Sequence, residues 1–253
     1  MLFPLYIHIG PLVISAHLIL DVLAFTAAAF FYVRLRSKIT DPLSLDDRLI
    51  LIIGALIGAL AGSRILASFE NLNYTISNLS FLVVFSQQTV VGGIIGGIVG
   101  VELAKKIKSI KIPTGDIYVF PIILGMMIGR IGCFLTGVSD RTVGLPCSFP
   151  WCFNQGDGIP RHPASLYEIL FLGLLWIFLY RLNKRMEMQN GVLFRFFVIA
   201  YSLYRLFADF IKPRDTLFLG LSPIQAACLL AALFFSLQLA YKYRGSLFVK
   251  HTA

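Results

Sequence analysis

Three arginines lie inside apolar stretches of the sequence, where a charged side chain is costly. Arg130 stands deep within DIYVFPIILGMMIGRIGCFLTG, a run at 116–137 that is about as long as a membrane-spanning helix. Arg64 lies near the end of a second apolar run, and Arg205 lies within a third. A charge at the bilayer centre costs about 2.5–3.5 kcal/mol on insertion scales, so such residues are interpreted as paired and functional.

Arg205 has polar neighbours at helical spacing. Tyr201, Arg205 and Asp209 are four residues apart, so they share one face of a helix that is otherwise apolar. A guanidinium group binds phosphate through two parallel hydrogen bonds, and a neighbouring acid would hold it in place. The three arginines therefore predict a site for a membrane-resident anion such as a lipid phosphate. Two structural alternatives stay open: an Arg205–Asp209 ion pair that ties helices together, and an Arg130 that reaches the outer headgroups.

The segment RHPASLYE at 161–168 opens another predicted span and carries further polar candidates. Pro163 suits a first helical turn, which places His162 at the cap and Glu168 just inside the helix. His162 is interfacial or catalytic, and the intramembrane Glu168 favours a functional role for the segment. His17 and Asp21 form a second pair, four residues apart, and are either a buried hydrogen-bonded pair or the far wall of the same cavity.

A glycine-rich run, VVGGIIGGIVG, follows Gln88 and contains Gly92 and Gly93. A phosphate-binding loop would follow a strand and open a soluble helix, so close helix packing in the bilayer is the simpler interpretation. Gln88 and the first glycines could instead face a polar cavity and bind a glycerol or ester group. Asp116 precedes Arg130 by fourteen residues, on nearly the same helix face, and is either part of the site or a helix cap.

The elements that must position these residues are membrane helices. With 57% hydrophobic and 14% charged residues, the chain has the composition of a polytopic membrane protein. Its net charge of +9 would suggest nucleic acid in a soluble protein, but the distribution of that charge excludes this function. We predict an all-α fold in one domain, 1–253, with seven spans: 10–33, 49–69, 84–103, 116–137, 163–182, 192–211 and 217–241.

The basic residues in the loops and at the ends of the spans are distributed unequally between the two sides of the membrane. Fifteen Lys and Arg residues fall on the side of the C-terminal tail and four on the side of the N-terminus. Because cytoplasmic loops are enriched in Lys and Arg, the N-terminus is predicted outside and the C-terminus in the cytoplasm. Cys147 and Cys152 fall in the outer loop, where either a disulfide or two free thiols fits the sequence.

Over nearly its whole length the chain resembles the prolipoprotein diacylglyceryl transferases of bacterial inner membranes. The resemblance is carried by Gly10-Pro11, the GSR around Arg64, the glycine-rich run, Asp116 with its spacing to GRIG at 129–132, RHPASLYE, the Tyr201/Arg205/Asp209 stripe and LSPIQ at 221–225. It implies a seven-span fold with the N-terminus outside. It also implies transfer of a diacylglyceryl group from phosphatidylglycerol to a lipobox cysteine of a preprolipoprotein, with headgroup and reaction roles for Arg130 and Arg205.

The chain departs from the family pattern at several positions. The family usually has histidine where Val91 stands, and two asparagines and a glutamate where Cys133, Thr136 and Val138 stand. Asp209 replaces the usual glutamate, and His17 replaces a tyrosine. The phosphate-binding charges are thus retained while the groups that handle protons are changed.

Two functions from different classes therefore remain in view. A transferase needs either a group that accepts the thiol proton or nearby arginines that lower the pKa of the thiol and favour the thiolate. The candidates for the base are His162, then His17, then Asp140. The alternative is an altered paralogue that binds anionic phospholipid or uses another acceptor; a transporter ranks last, because no inverted repeat is visible. We predict neither a metal nor a cofactor.

Overall fold

Long helices make up most of the chain. The computed structural model describes residues 3–39, 41–78, 80–140, 143–186, 188–214, 216 and 220–242. In this part of the chain the helices are α1 (Ala16–Arg36), α2 (Leu45–Glu70), α3 (Leu72–Ser77), α4 (Phe81–Ser86), α5 (Val90–Ile107), α6 (Val119–Thr136), α7 (Ala164–Arg185), α8 (Val192–Ala208) and α9 (Pro223–Lys242). The basic residues Arg141, Arg244 and Lys250, which were used to predict the topology, lie outside the described residues.

Within the described ranges, five helical stretches are long and apolar enough to cross a membrane: 16–36, 45–70, 116–139, 164–185 and 223–241. The protein is therefore a polytopic membrane protein. α5 and α8 overlap the two other predicted spans, 84–103 and 192–211. α8 has only 17 residues, and the last turns of α5 carry Glu102, Lys105 and Lys106.

The first predicted span begins too early, because the chain forms a hairpin before the helix. Strand β1 (Tyr6–Ile9) pairs antiparallel with β2 (Leu12–Ser15), and Gly10 turns between them at φ +60°. The Ser15 side chain then caps α1 by accepting a hydrogen bond from the Leu18 amide. Hydropathy does not distinguish a short apolar strand from the first turns of an apolar helix, which explains the error.

A second short hairpin interrupts the otherwise helical chain. In the loop between α6 and α7, strand β3 (Phe153–Asn154) pairs with β4 (Pro160–Arg161), and Cys147 and Cys152 are joined in a disulfide. The third predicted span also shifts, because the α4 helix ends at Ser86 and α5 begins only at Val90, where Thr89 caps it.

Two rows of glycine hold α2 and α5 in contact. Gly54, Gly58 and Gly62 on α2 face Gly92, Gly96 and Gly100 on α5, and both rows repeat every four residues. A methyl group on Gly96 would overlap the carbonyl oxygen of Gly58, whereas one on Gly97 would have 3.6 Å to its nearest neighbours. These contacts are of the small-residue type expected between helices in a bilayer.

α6, α7 and α8 surround the most buried part of the bundle. Ile123, Leu172 and Phe197 contribute one fully buried side chain from each of these helices. α1 packs along α6, and α9 packs along α8. This arrangement points one polar face of α6, α7 and α8 toward a common interior position.

Candidate functional site

Glu168 stands at the centre of the buried charges. It is 0% exposed, and its Oε1 lies 2.9 Å from Arg130 Nε and accepts a 2.8 Å hydrogen bond from the Tyr201 hydroxyl. Its Oε2 lies 3.5 Å from Arg205 Nη1. One carboxylate from α7 therefore holds two guanidinium groups, from α6 and α8, side by side.

Asp209 continues this cluster at the end of α8. Arg205 Nη2 lies 3.8 Å from Asp209 Oδ1, and the Ser222 hydroxyl donates to Asp209 Oδ2. The amide of Ser222 in turn donates to the side chain of Gln225, which is fully buried near the start of α9. The segment before α9 therefore holds the carboxylate that faces Arg205.

Lys212 is a member of the site that the sequence prediction missed. It is only 6% exposed, three residues beyond Asp209, so the spacing 205, 209, 212 continues the polar face. Burial, together with the charges of Arg205 and Arg130, lowers the pKa of Lys212 to about 7, although Glu168 and Asp209 act in the opposite direction. We call Arg130, Glu168, Tyr201, Arg205, Asp209 and Lys212 the arginine cluster.

Arg205 retains hydrogen-bonding capacity in this buried setting. Its Nε and Nη1 atoms are inaccessible to solvent and form no hydrogen bond with any residue in the described part of the chain. Unsatisfied buried donors of a charged group are costly, and they are rare without a role. A phosphate would accept from such donors through short, charge-assisted bonds.

A second cluster adjoins Arg130 on the side of α1. Arg130 Nη1 lies 3.5 Å from Cys133 Sγ, and that sulfur lies 3.7 Å from Nε2 of His17. His17 Nδ1 is 2.9 Å from Asp21 Oδ2, and Asp140 shares a hydrogen bond with Cys133. We call His17, Asp21, Cys133 and Asp140 the thiol cluster. The sequence named three of these as candidates but gave no sign that α1 and α6 bring them to Cys133.

Other predicted site residues lie elsewhere. His162 Nδ1 is 3.2 Å from the Tyr167 hydroxyl, beside the disulfide loop, and no contact among the described residues joins it to either arginine. Both carboxylate oxygens of Asp116 accept backbone N–H groups at the start of α8, from Gly191 and Phe194. Asp116 is therefore a cap of a neighbouring helix, about 20 Å along α6 from Arg130.

Arg64 and Gln88 form a separate pair. Arg64 Nη1 donates a 3.1 Å hydrogen bond to Gln88 Oε1, and its guanidinium lies 5.0 Å from the Phe85 ring centroid. Among the predicted glycines, Gly92 lies against Gly62 across the α2–α5 interface, while a methyl group added to Gly93 would meet its nearest neighbours only at 3.9 Å. The structure does not join these four residues to the arginine cluster by any contact it describes.

Comparison with known proteins gives one consistent result. A sequence model of the family described as "Prolipoprotein diacylglyceryl transferase" matches residues 4–243. A protein of Geobacter sulfurreducens named phosphatidylglycerol–prolipoprotein diacylglyceryl transferase is 31% identical over 84% of this chain and 83% of its own length. Proteins with the same name from Idiomarina loihiensis (31% identical, 84% and 81% covered) and Nitrosomonas europaea (28% identical, 96% and 91% covered) also match.

Proposed function

The chain belongs to the prolipoprotein diacylglyceryl transferase family, and we propose that it moves a diacylglyceryl group from phosphatidylglycerol to the lipobox cysteine of a preprolipoprotein, releasing glycerol phosphate. Its substrates would then be one membrane lipid and one secreted polypeptide. We place the whole chain, 1–253, in the bacterial inner membrane as one domain with seven crossings, the N-terminus outside and the C-terminus in the cytoplasm.

The observation that carries this proposal is the pair of buried Arg205 donors beside Arg130. Nε and Nη1 of Arg205 have no hydrogen-bond partner among the described residues, and Glu168 holds both guanidinium groups in place. A phosphodiester bound there would satisfy these donors. The cluster contains two arginines and two carboxylates, so a protonated Lys212 adds a positive charge that is not balanced. The phosphodiester would supply the balancing negative charge.

The same geometry suits the chemistry of the leaving group. The acceptor sulfur attacks the glycerol C3 carbon, and the C–O bond to the phosphate breaks with its electron pair leaving on glycerol phosphate. Negative charge therefore grows on the phosphate in the transition state. Preorganised donors aimed at that charge lower the barrier, and losing one typically costs about 10²–10³ in rate.

The other residues of the arginine cluster have the following roles under this proposal. Arg130 and Arg205 bind the phosphate, and Glu168 and Asp209 position them. Tyr201 fixes the Glu168 rotamer through its hydroxyl group. His162 remains a predicted base only, because it contacts Tyr167 and not the cluster.

The test uses purified protein in detergent with radiolabelled phosphatidylglycerol and a lipobox peptide. We expect label to move to the peptide cysteine, and transfer to be lost in Arg130→Ala and Arg205→Ala. Arg195→Ala is the matched control, because Arg195 lies at the opposite end of α8 from Arg205 and donates a hydrogen bond to Gln238. Bound lipid without transfer in the wild type would instead identify a paralogue that binds phospholipid or uses another acceptor.

A further inference from the structure

The thiol cluster brings three kinds of metal ligand to one point. His17 Nε2, Cys133 Sγ and a carboxylate oxygen of Asp140 all lie within 4.8 Å of one another. The sulfur and the imidazole nitrogen are 3.7 Å apart. A tetrahedral Zn²⁺ with ordinary Zn–S and Zn–N bonds would place these two atoms about 3.6 Å apart. The ligands therefore already stand close to the spacing that zinc requires.

The surroundings of His17 are those of a metal-ligating histidine. Its other ring nitrogen, Nδ1, lies 2.9 Å from Asp21 Oδ2. With Nδ1–H donated to this carboxylate, the Nε2 lone pair faces Cys133. Histidines that bind metals almost always donate their second N–H to a carboxylate, a carbonyl or water, which fixes the tautomer and raises the basicity of the ligand.

The charges of the cluster also fit a divalent cation. A Cys133 thiolate and the Asp140 carboxylate would neutralise Zn²⁺, and the nearby Arg130 guanidinium is already paired with Glu168. That guanidinium lies 3.5 Å from the sulfur and would stabilise its anionic form. His17 and Cys133 are also two positions where the sequence departs from the family pattern, so the cluster belongs to this chain's own residues.

We propose that His17, Cys133 and Asp140 bind one Zn²⁺ and that its fourth position takes the acceptor cysteine as a thiolate. Three protein ligands and one open position form the pattern of catalytic zinc, and a coordinated thiol is deprotonated. This replaces the prediction of no metal. The zinc site stands on its own geometry, whereas the role of the fourth ligand rests on the proposed transferase function.

Coordination to zinc would generate the thiolate nucleophile, so the reaction would not need a protein base. The acceptor S–H proton passes to water when the thiol coordinates. The new S–C bond forms at the glycerol carbon as the C–O bond to phosphate breaks, and the electron pair leaves with glycerol phosphate. Arg130 contacts both the thiol cluster and Glu168, so nucleophile and leaving group would meet on its two sides.

A second group with ligand spacing contains Cys147, Cys152 and His162, but it carries no such proposal. Its two cysteines are joined in a disulfide, so neither sulfur is a free thiolate. Cys228 is the other free cysteine in the described part of the chain, and it is fully buried away from the thiol cluster. It therefore provides a matched control.

The metal is tested on full-length protein purified without chelator and without a polyhistidine tag. We expect one zinc per chain by elemental analysis. We also expect Co²⁺ to exchange in and give a thiolate-to-metal charge-transfer band with the visible spectrum of a four-coordinate ion. Cys133→Ser should abolish that band and Cys228→Ser should keep it. Asp21→Asn should keep the band but weaken Co²⁺ affinity about 10–100-fold.

The fourth position is tested by adding a lipobox peptide to the Co²⁺ form. A second thiolate should intensify the charge-transfer band, and a peptide with serine in place of cysteine should leave it unchanged. No stoichiometric metal in the wild type, or a band that survives Cys133→Ser, would overturn the site. Transfer by metal-free protein would overturn the role of zinc but leave the transferase function intact. Peptide-dependent spectra without transfer would support the zinc site and overturn the transferase function.

Discussion

The choice of arginine at position 205 makes the phosphate assignment testable at the level of one side chain. Lysine keeps the positive charge but loses the planar fork that presents Nε and Nη1 together. We expect Arg205→Lys to insert normally while transfer falls by about 10²–10³. Radiolabel transfer to the lipobox peptide measures the loss. Arg195→Lys, the same change on the same helix, should keep the transfer rate near that of the wild type. Wild-type turnover by Arg205→Lys would contradict the assignment of Arg205 to the lipid headgroup.

Lys212 predicts a pH dependence of lipid binding. In the free protein its pKa is lowered to about 7, mainly by burial and then by Arg205. Below that pH the ammonium is already present to meet the phosphate. Above it the amine must take up a proton on binding, so affinity should fall by up to about tenfold per pH unit until the pKa of the complex is reached.

The measurement is phosphatidylglycerol affinity in detergent between about pH 6 and pH 9. Arg130, Glu168, Arg205 and Asp209 are the other charged groups that act on Lys212. Lys212→Arg, which stays charged, should bind with little pH dependence, and Lys212→Met should bind weakly at every pH. If Lys212→Met keeps the wild-type slope, another group is responsible for it.

At the level of elements, the α2–α5 contact depends on glycine at specific positions. Gly96→Ala places a methyl group against the Gly58 carbonyl, so the helices must separate. Overpacking of this kind costs about 1–3 kcal/mol, and we expect a lower unfolding temperature in detergent. Gly97→Ala is the matched control, because its methyl group meets neighbours at 3.6 Å. Equal stability of the two variants would contradict the packing role.

Asp116 is a second test at this level, because capping and substrate binding predict different losses. Removing a side chain that caps α8 should lower stability by about 0.5–2 kcal/mol. We expect Asp116→Ala to unfold at a lower temperature and to keep the wild-type KM for phosphatidylglycerol. A raised KM with unchanged stability would restore the site role that the sequence suggested.

Much of this organisation could be predicted from the sequence, because helical spacing and the cost of charge in a bilayer are local properties. Those properties selected Arg130, Glu168, Tyr201, Arg205 and Asp209, which the structure brings together. Hydropathy could not separate the β1–β2 hairpin from α1. It also placed several predicted helix starts too early.

What the sequence could not give is the pairing between helices. Cys133 gained significance only when α1 placed His17 and Asp21 beside it. Asp116 shares a helix face with Arg130, but its carboxylate accepts hydrogen bonds from backbone amides at the start of α8. One sequence reports which face of a helix is polar and not which helix packs against it.

At the level of the whole molecule, the number of crossings decides which side of the membrane holds the disulfide loop. If α5 and α8 cross, the loop that contains Cys147 and Cys152 shares the outer side with the α2–α3 connection, as an oxidised pair requires. If α5 does not cross, residues 108–115 stay outside and the disulfide loop falls in the cytoplasm. Single reporter cysteines on either side of α5 therefore separate the two topologies.

We expect Asn78→Cys to react with a membrane-impermeant maleimide in intact spheroplasts, and Lys111→Cys to react only after the membrane is opened. The lysine-rich end of α5 favours this outcome, because the positive-inside rule predicts a cytoplasmic position for Lys105, Lys106 and Lys108. The parent protein measures any labelling of Cys133 and Cys228. Labelling of both reporters in intact spheroplasts would show that α5 does not cross the membrane. That result would contradict the seven-span topology.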